Sequence, residues 1–123
     1  MSKTWHNNAI SKILNEEFKK DFTLIDIDGA VRCHYKDNGI FKTRFIIYES
    51  KWKNERKMKD AQLKSLKQLR DIIDWSKFDR YSGLFVFKVI DIKESIIWYS
   101  LEGVKIRETT IKELYDIFSC KTY

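Results

Sequence analysis

A chain of 123 residues, 43% of them apolar, is the right size for a single domain spanning residues 1–123 with a modest core. No apolar run approaches the roughly 20 residues of a membrane span, and MSKTWHNNAISKIL shows no apolar stretch before a small-residue cleavage site, so the expectation is an intracellular, cytoplasmic protein with no membrane partner. A net charge of +6 attracts polyanions, nucleic acid above all.

Residues 9–20 read as an amphipathic helix, with Ile10, Ile13, Leu14, Glu17 and Phe18 on one side at helical spacing. DFTLIDIDGAVRCHY follows as a strand, with apolar and polar residues alternating from Leu24 to Asp28. Asn38-Gly39 is a strong turn signal, and TRFIIYESKW reads as a second strand paired with the first in an antiparallel hairpin. From about Glu55 to Asp74 the composition favours helix, with Met58, Leu66, Leu69 and Ile73 as its apolar stripe. YSGLFVFKVID is a third strand. SIIWYSLEGVKIRET is one more strand or a hairpin, with Glu102-Gly103 near its turn. TIKELYDIF closes the chain as a short helix capped by Thr109 or Thr110. The order predicts an α/β or α+β domain in which helices flank a mixed sheet. Cys33 and Cys120 lack CxxC spacing and read as two reduced thiols; with His6 and His34 they match no familiar zinc pattern.

The end of the second strand carries the candidate chemistry. Side chains two apart on a strand share a face, so Glu49 and Lys51 point the same way. Positions 28 and 49 are equidistant from a turn centred between Asn38 and Gly39, which brings Asp28 level with Glu49. Two carboxylates beside an ammonium call for a hard divalent cation such as Mg²⁺, held by Asp28 and Glu49, with Lys51 left to steer water or stabilise phosphate charge. Asp26, two residues before Asp28, is the competing carboxylate on the same strand face.

Ile27-Asp28-Gly29, an apolar strand, and then Glu49-Ser50-Lys51 resemble the PD-(D/E)xK nuclease superfamily, whose motif places Asp at the start of one strand and (D/E)-x-K at the end of the next. Ile27 stands where that motif prefers Pro. The element order over residues 9–90 is similar to the superfamily's αβββαβ restriction-endonuclease-like core, and resembles small RecB-like or Holliday-junction-resolvase-like members. The resemblance implies a Mg²⁺-dependent deoxyribonuclease, with Mn²⁺ as a substitute, that cuts phosphodiester bonds structure-selectively or with weak sequence preference. It also implies a homodimer, and the alternative of a catalytically inactive nuclease-fold module that binds nucleic acid. The compact, proline-free, Lys/Ile-rich chain suits a phage or other mobile element, hence a virus-encoded protein. The RecB-like branch carries a Gln on the second helix that contacts the site, which would be Gln62; a Gln at the core edge reads equally well. Some members place a metal-assisting Glu on the first helix, here Glu17 or Glu16, where a solvated Glu is the ordinary alternative.

Nucleic-acid contacts are expected just beyond the motif. Eight basic residues lie between Lys51 and Arg70, opposed only by Glu55 and Asp60. Lys53, Lys57 and Lys64 are the expected phosphate ligands, with DNA the expected partner. Trp52 is the aromatic best placed to stack on a base; Trp75, Tyr81, Trp98 and Tyr99 read more naturally as core or core edge. Near-matches to the motif are cheap in a chain that is 34% charged, and Glu102-Gly103-Val104-Lys105 is one such decoy.

Overall fold

A computed structural model describes residues 27–55, 57–91 and 94–123. The expected first helix, the start of the first strand (22–26), Glu16, Glu17, Asp26 and His6 lie outside the described residues. In chain order the described elements are β1 (Gly29–Asp37), β2 (Ile40–Trp52), α1 (Asp60–Ile72), a 3-10 turn (Trp75–Lys77), β3 (Gly83–Asp91), β4 (Ser95–Tyr99), β5 (Lys105–Thr109) and α2 (Ile111–Phe118). The fold is mixed α+β, with a five-stranded sheet in the order β1-β2-β3-β4-β5. β2 and β3 run parallel and the other neighbours antiparallel. A parallel neighbour requires a crossover, and α1 supplies it.

Asn38 and Gly39 form the hairpin turn, with φ of 50° and 81°. Positive φ at both central residues matches the right-handed twist of the strands they join. The register that follows pairs Gly29 with Tyr48 and Asp37 with Ile40. At Gly29 the need is for space: the Tyr48 ring lies across its Cα, and any Cβ there would collide with that ring.

Strand alternation divides β2 between two cores. Ile46 faces α2 and packs with Phe85, Phe87, Ile96, Trp98, Leu114 and Ile117. Ile47 faces α1 and packs with Leu66, Leu84 and Leu101. Leu66 is fully buried, and its truncation to Ala would cost about 2–5 kcal/mol through lost contacts and a residual cavity. Helix α2 starts at a capping box in which Thr110 accepts from the Glu113 amide and Glu113 accepts from the Thr110 amide.

Two expectations need correction. The helix expected over 55–74 begins only at Asp60. The amide of Glu55 donates to the Trp52 carbonyl while its carboxylate accepts from the Trp52 amide, so these residues close a turn instead of starting the helix. Met58 still packs against the α1 core from the extended segment before it. Cys33 and Cys120 are not two reduced thiols but a disulfide, with Cα atoms 5.9 Å apart. Cys33 lies on the inward face of β1, and Cys120, with φ of 56°, turns the chain back just after α2. A sequence separation of 87 residues conceals that meeting, and it also removes both thiols from any zinc site.

Candidate active site

The hairpin register carries Asp28 to Glu49, one step beyond the Gly29–Tyr48 pair. There the two strands are clasped reciprocally. The Asp28 amide donates to Oε1 of Glu49 at 3.0 Å. The Ser50 amide and hydroxyl donate to Oδ2 of Asp28 at 2.8 and 3.1 Å. Each carboxylate is therefore seated on the backbone of the opposite strand, and charge-assisted bonds of this kind fix orientation strongly. Glu49 is only 4% exposed, on the α1 side of the sheet, whereas Asp28 is exposed at the strand end.

Lys51 lies two residues beyond Glu49 on the same face, and its ammonium sits 3.8 Å from a carboxylate oxygen of Glu55. Its register partner on β3 is Lys88, which places two lysines side by side on that face. Sequence reasoning missed Lys88, although the alternation Leu84-x-Val86-x-Lys88 carried the signal. It also missed Ser50, the middle residue of Glu49-Ser50-Lys51, whose role depends on a cross-strand register that no motif spells out.

The secondary candidates separate. Gln62 is half-buried on α1 and takes no part in the bonds that seat Asp28 on Ser50 and Glu49 on Asp28. Lys53, Lys57 and Lys64 are all exposed. Lys64 stands two residues before Leu66, about 200° around the helix, and so faces away from the sheet. Trp52 is 53% exposed at the end of β2. Trp98 is fully buried and donates to Thr109, and Tyr81 is buried against the Arg44 and Arg107 guanidinium groups, so both are core residues. Trp75 donates to the Arg70 carbonyl and packs on the α1 core. The decoy Glu102 is held by two hydrogen bonds from Arg70, 2.7 and 2.8 Å long.

A second polar cluster, also missed from the sequence, lies near the other end of β2. Arg44 is fully buried, with Nε and Nη2 each 2.7 Å from Oδ2 of Asp79 and Nη1 donating to the Ile117 carbonyl. Asp79 also accepts from Tyr35, the Tyr81 amide and both donors of Ser82. Burial works against the Asp79 charge, but the Arg44, Ser82 and Tyr35 hydrogen bonds outweigh it and hold the carboxyl below its ordinary range. These bonds tie β1, β2, the β3 approach and α2 together, which marks the cluster as a structural anchor.

Among the described residues no three His, Cys, Asp or Glu side chains group as a metal site, and no helix is long and apolar enough to cross a membrane. No protein-family model, curated protein or solved structure matches the chain.

Proposed function

We propose that the chain is a Mg²⁺-dependent endonuclease acting on DNA, of the PD-(D/E)xK kind and built on that superfamily's αβββαβ core. The observation that carries the reading is the clasp between Asp28 and Glu49-Ser50, with Lys51 on the Glu49 face. The donor set fits a hard cation: two carboxylates on adjacent strands, held level with each other by the clasp. A divalent ion held by Asp28 and Glu49 would acidify water and neutralise charge on a phosphodiester. The protein's own contribution is orientation. Ser50 fixes Asp28, the Asp28 amide fixes Glu49, and the Lys51 ammonium stabilises charge building on the phosphate or steers the attacking water. Adjacent Lys51 and Lys88 add a cationic patch that favours a phosphate over a neutral substrate.

The same reading includes action as a homodimer, phosphate contacts from Lys53, Lys57 and Lys64, base stacking by Trp52, site roles for Gln62 and Glu17, and a cytoplasmic, virus-encoded setting. One observation pulls against that setting: the Cys33–Cys120 bond, which a reducing cytosol opposes. The test is cleavage of labelled single-stranded, duplex, flap and junction DNAs. Cutting is expected with Mg²⁺ or Mn²⁺ and none with Ca²⁺ or EDTA. Cutting in excess EDTA would overturn the metal mechanism. DNA binding without cutting under any metal would favour the inactive nuclease-fold module.

A further inference from the structure

The solvent-facing row of the edge strand β1 carries two cations and no anion. Ala30, Arg32, His34 and Lys36 alternate with inward-facing neighbours and are all exposed. Among the described residues neither Arg32 nor Lys36 has an ion-pair partner, unlike Lys42, which pairs with Asp37. The row has the parity of Asp28 and runs straight from it. Same-face side chains on a strand recur about every 6.6 Å, close to the spacing of successive phosphates along an extended nucleic-acid strand. At the far end Lys36 lies 4.9 Å from the ring centroid of Phe41, whose side chain is 71% exposed. Phe41 borders a cleft that also includes Thr43, Ser76, Lys77 and Phe78. His34 bonds through Nδ1 to Thr43 between these landmarks.

We infer that this face of β1 is a track for the backbone of single-stranded DNA, with Arg32 and Lys36, two same-face steps apart, on alternate phosphates, Phe41 under a base, and the strand led toward Asp28. Charge complementarity selects a polyanion. The single-file line of cations ending in an exposed ring selects one strand over a duplex, since stacking requires an unpaired base. From Asp28 to Lys36 the track spans about 27 Å, enough for roughly four nucleotides, the small end of known single-strand sites. The inference rests on the nuclease reading for the direction of the strand, and its test is made in EDTA so that the two can fail separately.

The experiment is fluorescence anisotropy of a labelled 12-nucleotide single strand, and of the matching duplex, across a salt series. Arg32→Gln/Lys36→Gln should weaken single-strand binding about tenfold and flatten the salt dependence by about 1.4 in log–log slope, two phosphates' worth. Phe41→Ala should weaken the single strand more than the duplex. Arg32→Lys/Lys36→Arg should bind as the parent does, and the exposed positions should leave the Tm unchanged. Parent-like affinity and slope in the double Gln variant would overturn the track, as would a loss confined to the duplex. Polyglutamate competing as well as the oligonucleotide would overturn it too, by showing a general polyanion surface. So would a change in sedimentation mass without a change in DNA affinity, by showing a face for a second copy. Failure of the parent to cleave would leave these binding results standing.

Discussion

The main-chain amide of Asp28 donates to Oε1 of Glu49 at 3.0 Å, so a carboxylate of one strand is seated on the backbone of the other. This bond does not depend on the Asp28 side chain, which makes the two positions separable by mutation. Asp28→Asn and Glu49→Gln should each lower Mg²⁺-dependent cleavage by at least about 100-fold, because each removes an anionic ligand while keeping shape. DNA affinity should hold or rise, since each variant gains a unit of net positive charge. Lys51→Ala should also stop cleavage but leave Ca²⁺ or Mn²⁺ binding near the parent's, because an ammonium does not ligate a cation. Single-turnover cleavage with parallel metal titration checks all three. A Glu49→Gln variant that cuts at the parent rate would remove the chain from this mechanism.

Ser50 positions Asp28 through both its amide and its hydroxyl, at 2.8 and 3.1 Å. Ser50→Ala keeps the amide bond and loses the other, so metal affinity should weaken roughly tenfold, the low end for an outer orienting partner. Raising Mg²⁺ should restore the rate, which a direct role in the chemical step would not allow. Glu102→Gln is the control. Its carboxylate is taken by Arg70, so cleavage should match the parent's while stability falls by no more than about 1 kcal/mol, the range of an exposed pair.

Lys57 and Lys64 test the binding surface expected beyond the motif. Replacing both with Gln should weaken duplex and single strand alike across sequences and flatten the salt slope. Lys64 faces away from the sheet that carries Glu49, so the cleavage rate at saturating DNA should not change. An unchanged salt slope would confine phosphate contact to the Lys51–Lys88 patch and the β1 row.

What the sequence disclosed was local in origin. Asn38-Gly39 specifies its turn through two left-handed backbone positions, and that turn alone sets the Asp28–Glu49 register. Thr110 and Glu113 spell out a capping box, and Gly103, with φ of 83°, marks the β4–β5 turn. What stayed hidden depends on long-range contact. The Arg44–Asp79 pair joins residues 35 apart, and the Cys33–Cys120 bond residues 87 apart. Neither a charge nor a thiol shows its partner through periodicity. Alternation gives the face of Lys88, but its place beside Lys51 follows only from the parallel pairing of β3 with β2.

The disulfide gives a test with opposite outcomes for bonded and free thiols. A crosslink over 87 residues restricts the unfolded chain by about 4–5 kcal/mol on the loop-entropy account. Dithiothreitol, or Cys33→Ser/Cys120→Ser, should therefore lower Tm by more than about 10 °C. DNA cleavage at low temperature should survive, because Cys33 lies on the face of β1 opposite Glu49. A Tm indifferent to reductant would mean that the thiols are free in solution.

Asp79 predicts how stability responds to acid. Its carboxyl is held below the ordinary range in the folded chain, chiefly because the bonds from Arg44, Ser82 and Tyr35 outweigh burial. Between the native and unfolded values the unfolded chain binds the extra proton, so stability rises with pH across that interval. The contribution is fully present above the unfolded carboxyl value of about 3.9 and is lost as pH falls below it toward the native value. Asp79→Asn should cost about 3–5 kcal/mol at neutral pH, because it leaves the buried Arg44 guanidinium without its counter-charge. It should also flatten the stability profile below about pH 4 relative to the parent. Urea unfolding of both proteins at several acid pH values checks the point. Parallel profiles for parent and variant below pH 4 would show that Arg44 and Asp79 do not carry the acid sensitivity of this fold.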